Sequence, residues 1–294
     1  MRILHIDSGR QMRGGQWQVL YLLHGLRHLG HEAALLARRE SELLRAATQA
    51  GIDARPIGFS TLNRAREFDL IHAHDARSHT LGLLLNGPRP LVVARRVAFP
   101  VRSKIKYRRE AHFIAVSHFV SEMLLAAAID TSRITIVYDG VPIPATNDTK
   151  RSGVLALDSV DPLKGKALIE QAARLAAVEV RFSEKLRQDL PAASLFVYIT
   201  ESEGLGSAAL LAMAAETPLI ASNVGGLPEV VEDGSSGLLT ENQPRAIAAA
   251  ISRLLGDPAL AKRLASEARR RVEQRFSVDR MVKETVAVYE KVLS

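Results

Sequence analysis

SLFVYITESEGLGSAALLAMAAETPLIASNVGGLPEVVEDGSSGLL, residues 194–239, reads as strand, glycine turn, helix, strand, glycine turn, helix. Leu195 to Ile199 is an apolar, β-branched and aromatic run of strand length. Gly204 and Gly206 then free the backbone before the helix-forming run Ala208 to Ala215. A helix is expected to start near Ser207. The unpaired N–H groups of its first turn and its dipole favour an anion by about 0.3–1 kcal/mol per contact, and phosphate is the natural guest. Glu203 stands at the mouth of the same turn, and its carboxylate repels phosphate but accepts hydrogen bonds from sugar hydroxyls. Phosphate and sugar together point to a nucleotide sugar. A single glycine turn after a strand is also the ordinary tight connection of any doubly wound domain, so this turn does not decide alone.

The second turn, Asn223-Val-Gly-Gly226, adds to it: a short helix from Pro228, the turn Asp233-Gly234 and then Gly237-Leu-Leu239 follow. On these residues the chain resembles the family 4 retaining glycosyltransferases of GT-B fold. Their C-terminal signature runs roughly E-G-F-G, a second Glu after seven further residues in E-A-M-A, then G-G-x-x-E and D-G-x-x-G-L-L. The resemblance implies that Glu203 acts on the donor sugar and that Leu205, Gly206 and Ser207 line the donor site. One position departs from the pattern: the second Glu, which in the family resembles a clamp on the ribose, is here Leu211. Loss of charge-assisted hydrogen bonds of about 1.5–3 kcal/mol weakens nucleotide binding roughly ten- to a hundredfold without abolishing it.

At 294 residues and 47% hydrophobic, the chain is long enough for two domains with cores of their own. It has no cysteine, which excludes disulfides and thiolate-held zinc and fits a reducing compartment. No apolar run approaches the ~18 residues of a membrane span, and the N-terminus is charged too early for a signal peptide, so a cytoplasmic protein is expected. Residues 1–150 hold 21 Lys and Arg against 13 Asp and Glu, a net +8 out of +7 for the whole chain. The basic half implies an anionic partner. With 5% aromatics there is little to stack on bases, and nucleic acid is excluded.

Arg2 to Asp7 reads as a first strand. Gly14-Gly15 follows and precedes a helical pattern, Trp17 to Leu29, that ends in Gly30-His31-Glu32. The family has a similar G-G turn and G-H-E, which makes Gly14 and Gly15 candidates for the donor phosphate; the residues alone are equally served by a plain turn. In Phe68 to Asp75, His72 and His74 share a strand face. They could be a hydrogen-bonded structural pair or two ligands of a metal whose third ligand is not evident. The resemblance implies instead that His74, the second His of H-x-H, reaches the sugar, and that no metal is used. The segment 95–110, RRVAFPVRSKIKYRRE, interleaves Arg95, Arg96, Arg102, Lys104, Lys106, Arg108 and Arg109 with Val97, Phe99, Val101, Ile105 and Tyr107. It is either a solvated loop or a surface for an anionic acceptor or a membrane.

Asp139-Gly-Val141 stands where the family has N-G-V, and the proline- and polar-rich stretch from Pro142 to Arg151 reads as a linker. Lys164, before a helix at Ala167 to Ala177, resembles one cationic clamp on the donor diphosphate; by itself it is equally a solvated charge at a helix end. The other clamp, an Arg five residues earlier in the family, is Ser159 here, and Lys166 or a basic residue of the first domain is a candidate substitute. Only Val178 to Leu190 separates this helix from Leu195, so the second domain looks about one βα unit short.

These readings give an α/β chain of GT-B type, with two Rossmann-like doubly wound domains facing across a cleft and the second one shortened. The domains are expected at 1–145 and 146–276, with 277–294 a helix returning to the first. The resemblance implies transfer of a sugar from a UDP-, GDP- or ADP-sugar to an acceptor, expected to be a cell-envelope glycan, with retention and no cofactor; the basic segment 95–110 adds the expectation of a place at the inner membrane face. The replacements at Ser159 and Leu211 keep open a non-catalytic binding or scaffold subunit, and a sugar-nucleotide epimerase is a third reading.

Overall fold

The computed structural model describes residues 1–101, 103–145 and 151–294; Arg102 and linker residues 146–150 lie outside the described residues. Contacts divide the chain into two units, Met1–Asp139 with Val278–Ser294, and Gly140–Ser277. The C-terminal helix thus groups with the first unit, and the division falls at Asp139/Gly140, a few residues before the boundary expected at 145.

The first unit is built on seven strands: β1 (Arg2–Asp7), β2 (Glu32–Ala37), β3 (Asp53–Pro56), β4 (Leu70–Ala73), β5 (Leu91–Arg95), β6 (His112–Ala115) and β7 (Ile134–Ile136). They form one sheet in the order β3-β2-β1-β4-β5-β6-β7, every neighbouring pair parallel. Helices cover a parallel sheet on both faces, which is why its central strands are apolar runs rather than alternating ones. The core gathers Ile3, Leu35, Leu70, Val92 and Ile114 with Leu22, Leu23 and Leu26 of the helix Gly14–His28. Against that helix lies Val278–Leu293, buried through Met281, Val282, Val288 and Tyr289. Gly25 makes the close approach possible, since a Cβ there would fall 2.4 Å from Val282 Cγ2. Leu293, the terminal residue of this helix, is exposed.

The second unit has five strands, β8 (Val154–Leu157), β9 (Val180–Ser183), β10 (Leu195–Tyr198), β11 (Leu219–Ser222) and β12 (Leu238–Thr240). Their order is β12-β11-β10-β8-β9, again all parallel. Its core packs Val154, Leu195, Val197 and Ile220 against Ile169, Ile247, Ile251 and Leu264. The helix expected from Ser207 runs over Ser207–Ala214, and a longer one covers Pro258–Arg275.

Both strand orders reverse direction once. In the first unit the chain winds outward one way from β1 and the other way from β4; in the second the reversal lies between β8 and β10. At such a point the connections leave on opposite faces of the sheet and open a crevice beyond the strands' carboxyl ends, where open α/β sheets hold their ligands.

Candidate functional site

In the second unit the switch point is lined by the loop after β8 and the turn after β10. Asp161 accepts a hydrogen bond from Leu163 N at 3.0 Å and starts a short 3-10 turn, Pro162–Lys164. Gly165 ends it with φ +63°, against Ile199, where a Cβ would come within 2.6 Å of Cγ2. Leu163 O accepts from Glu201 N at 2.8 Å and so ties this loop to the end of β10. The result is a cluster of three side chains. Lys164 Nζ is 2.7 Å from Glu203 Oε2, the Tyr198 hydroxyl donates to the same oxygen, and Lys164 Nζ lies 3.5 Å from the Tyr198 hydroxyl. Glu203, assigned to a sugar, and Lys164, assigned to a diphosphate, are therefore ion-paired with each other.

The second glycine turn has a mechanical role in holding this arrangement. Gly225 has φ +57° and a Cβ on it would stand 2.1 Å from Glu203 O; one on Gly226 would stand 2.1 Å from Gly204 O. Gly226 N donates to Glu203 O at 3.0 Å. The two turns thus touch backbone to backbone, and only residues without Cβ allow it. Gly206, with φ +113°, precedes the helix at Ser207, whose first turn has no side-chain cap. Leu205 is buried, Ser207 is half-buried, and Leu211 sits half-buried on the same helix. Ser159 accepts from Asp161 N at 3.2 Å. Lys166, the candidate substitute clamp, is paired with Asp158 at 2.8 Å.

In the first unit the switch point holds a histidine cluster that the sequence showed only in part. Parallel register sets His5 of β1 beside His72 of β4. His74, just past β4, completes it: His5 Nδ1 and His74 Nε2 are 2.9 Å apart, and the His72 and His74 ring centroids 4.0 Å apart. All three are buried. Burial, followed by the neighbouring rings and the Arg96 charge, holds His72 and His74 well below the ordinary value and brings His5 to about 3, so the cluster is neutral at pH 7.

Proton positions follow from Arg96. Its guanidinium can only donate, and Nη1 is 3.4 Å from His74 Nδ1, so that nitrogen accepts. His74 then carries its proton on Nε2 and donates to His5 Nδ1, and His5 carries its own on Nε2, which is buried without a partner among the described residues. Asp139 holds Arg96 from the other side at 3.1 Å. His72 Nδ1 is 2.6 Å from the hydroxyl of Tyr289 on the C-terminal helix. Ligand atoms of the three imidazoles lie within 4.8 Å of one another, so the third ligand absent from the sequence reading is His5. Metal binding requires breaking the His5–His74 hydrogen bond and bringing a cation near Arg96.

The end of β1 is fixed to the end of β4 by Asp75, which accepts from Ser8 N at 2.6 Å and Ser8 Oγ at 2.7 Å while capping the helix Ala76–Leu85. Burial works against its charge, but these bonds and those from Ser78 outweigh it and keep its pKa low. Gly14 and Gly15 are the first two residues of the helix Gly14–His28, and Arg96 is the nearest side chain to where a Gly15 Cβ would be, at 3.7 Å.

The basic stretch divides. Arg95 is buried, donating to the Tyr107 hydroxyl at 2.8 Å, and Tyr107 is buried with it. Arg96 belongs to the histidine cluster, and Lys106 donates to Ala76 O at 2.9 Å. Arg108 and Arg109 are exposed, as are Val97, Phe99 and Ile105, the last 82% accessible. Arg102 and the Lys104 side chain lie outside the described residues. The interleaving spacing expected to face one surface is instead shared between the core and the outside. Tyr198 and His5 carry no signal of their own in the sequence; alternation in Arg2 to Asp7 places His5 and Asp7 on one face, but only the strand register brings His5 to His72.

Residues 166–271 match the family described as glycosyl transferases group 1, and residues 12–143 match glycosyltransferase family 4. Among curated relatives, the alpha-maltose-1-phosphate synthase of Mycolicibacterium smegmatis is 38% identical over 117 residues, 37% of this chain and 30% of that protein. The MMP alpha-(1->4)-mannosyltransferase of Mycolicibacterium hassiacum is 30% identical over 230 residues, covering 61% of this chain and 56% of its own length. The matched part thus spans about a third to a half of these relatives. The crystal structure of Anabaena HepE in complex with UDP and glucose superposes with TM-score 0.86 at 19% identity, covering 99% of this chain and 100% of that one. A glycosyltransferase from Rickettsia africae superposes with TM-score 0.81 at 18% identity over 100% of this chain and 98% of that one, which places the fold as GT-B.

Proposed function

The chain belongs to the group 1 and family 4 glycosyltransferases, and on that premise we propose that it moves a sugar from a nucleotide-sugar donor to an acceptor, with retention and without a divalent metal. The observation that carries the reading is the Lys164–Glu203 pair at the switch point of the second unit, beside the uncapped start of the helix Ser207–Ala214. A diphosphate draws Lys164 to itself and gains the helix N–H groups, and Glu203 is released to accept hydrogen bonds from the donor sugar. The cation and the helix dipole then stabilise the charge that builds on the departing diphosphate, which is work a metal does elsewhere. That HepE was crystallised with UDP and with UDP-glucose supports a donor of this kind.

In the first unit, Gly14 and Gly15 are assigned to donor phosphate and His74 to the sugar. His74 must release His5 or Arg96 to make that contact, since both of its ring nitrogens are engaged. The exposed Arg108 and Arg109 beside Phe99 and Ile105 are assigned to an anionic cell-envelope acceptor or the membrane face that carries it. Among the described residues no helix is long and apolar enough to cross a membrane.

Glu203→Gln tests the assignment: turnover should fall by at least about a hundredfold with nucleotide affinity within a few-fold, and retained transfer would remove Glu203 from the mechanism. A binding or scaffold role is the second reading, favoured by Leu211 and Ser159 at the two clamp positions. Leu211→Glu separates them, since a surviving ribose site should tighten nucleotide binding by about tenfold or more.

A further inference from the structure

Glu203 has two protein partners, and both bind the same oxygen. Lys164 Nζ and the Tyr198 hydroxyl converge on Oε2, while Oε1 has no hydrogen bond among the described residues. If Lys164 leaves for a diphosphate, one donor remains to hold the carboxylate.

We infer that Tyr198 is a positioning residue for Glu203, keeping Oε2 in place when Lys164 turns to a diphosphate and so leaving Oε1 directed at a sugar hydroxyl. This rests on the reading above that Glu203 meets the donor sugar. Tyr198 suits the task because its ring is packed in the core. It is the last residue of β10, 3% accessible, with its ring stacked on Phe196 at 6.0 Å and 13°. Lys164 Nζ lies over the same ring, 5.7 Å from its centroid, so Tyr198 also guides the cation between its two positions. Burial first, then the charge of Glu203, holds the phenol well above its ordinary value, so it remains a donor throughout the working pH range. A phenylalanine keeps the strand and the stacking and removes only the donor.

The test follows the Glu203 carboxyl by 13C NMR in the full chain and in Tyr198→Phe, each with and without inorganic pyrophosphate. Loss of one hydrogen-bond donor should move the Glu203 carboxyl resonance at pH 7.5 in the ligand-free variant, and further once pyrophosphate engages Lys164, whereas the resonance of the unaltered chain should move less on adding it. With a turned-over donor, kcat should fall about tenfold or more while KM for the nucleotide stays within about twofold. Identical Glu203 carboxyl resonances in the two proteins without ligand would overturn the inference. Failure of the unaltered chain to bind pyrophosphate or any nucleotide would instead sink the transferase reading, and the ligand-free comparison of the carboxyl resonances would still decide whether Tyr198 holds Glu203.

Discussion

Lys164 Nζ lies 2.7 Å from Glu203 Oε2, and the two residues come from loops 39 positions apart that meet only because β8 and β10 are neighbours in the sheet. The side chains are 23% and 17% accessible, so solvent screens them only in part. A double-mutant cycle of Lys164→Met and Glu203→Gln, read by urea unfolding, should return a coupling of about 1 kcal/mol. Strict additivity would mean that the pair contributes nothing to holding the site.

Stability should fall as the solution is acidified. The unfolded chain takes up protons on its histidines near pH 6.5, whereas burial lowers His79 and His112 to about 4 and His5 to about 3 in the fold. Between those values the unfolded state binds more protons, so each histidine removes up to about 1.4 kcal/mol per pH unit. The stability is fully present above pH 6.5 and is lost progressively below it. Unfolding midpoints at pH 7.5, 6 and 5 measure the slope, and His79→Phe, which preserves the edge-on contacts to Tyr107 and Phe113, should flatten it by one proton. A pH-independent midpoint down to 5 would contradict the neutral cluster.

Gly225→Ala should be costly in proportion to its small size. The substitution places a side chain at positive φ and drives a Cβ to 2.1 Å from Glu203 O, a backbone atom that cannot swing aside. The left-handed conformation alone costs about 1–2 kcal/mol and the overlap adds to it. Thermal unfolding should show the loss, and nucleotide binding should fall with it because the displaced turn carries Glu203. A variant as stable as the parent would show that the two turns do not bear on each other.

The exposed part of the basic stretch should bind anionic surfaces weakly. With Arg95 buried and Arg96 and Lys106 bonded internally, Arg108 and Arg109 are the cations whose side chains are described as exposed there, and each contributes about 1 kcal/mol near an anionic headgroup layer. Flotation with phosphatidylserine vesicles at low salt should recover more protein than with neutral vesicles, and Arg108→Glu with Arg109→Glu should abolish the difference. Equal recovery from both vesicles would assign the patch to a soluble partner or to none.

How far the sequence could be read depended on whether the relevant signal was local. The helix from Ser207 follows from residues within one turn of each other, and it is found. The histidine cluster needs the register of β1 on β4, and the pairing of Lys164 with Glu203 needs β8 beside β10; neither is written in spacing along the chain. The second glycine turn was legible as a turn but not as a contact, since its neighbour is the turn 20 residues earlier rather than a ligand. In the basic stretch, alternation of cations and apolar residues could not tell Arg95, which turns inward to Tyr107, from Arg108, which does not.

The central claim is that the second unit binds a nucleoside diphosphate through Lys164 and the helix beginning at Ser207. Isothermal titration calorimetry of the full chain with UDP, GDP and ADP in excess chelator tests it most directly. At least one of the three should bind with a Kd below millimolar, and Lys164→Met should weaken that binding by about tenfold or more. Heat of binding from none of them at millimolar nucleotide would contradict the account.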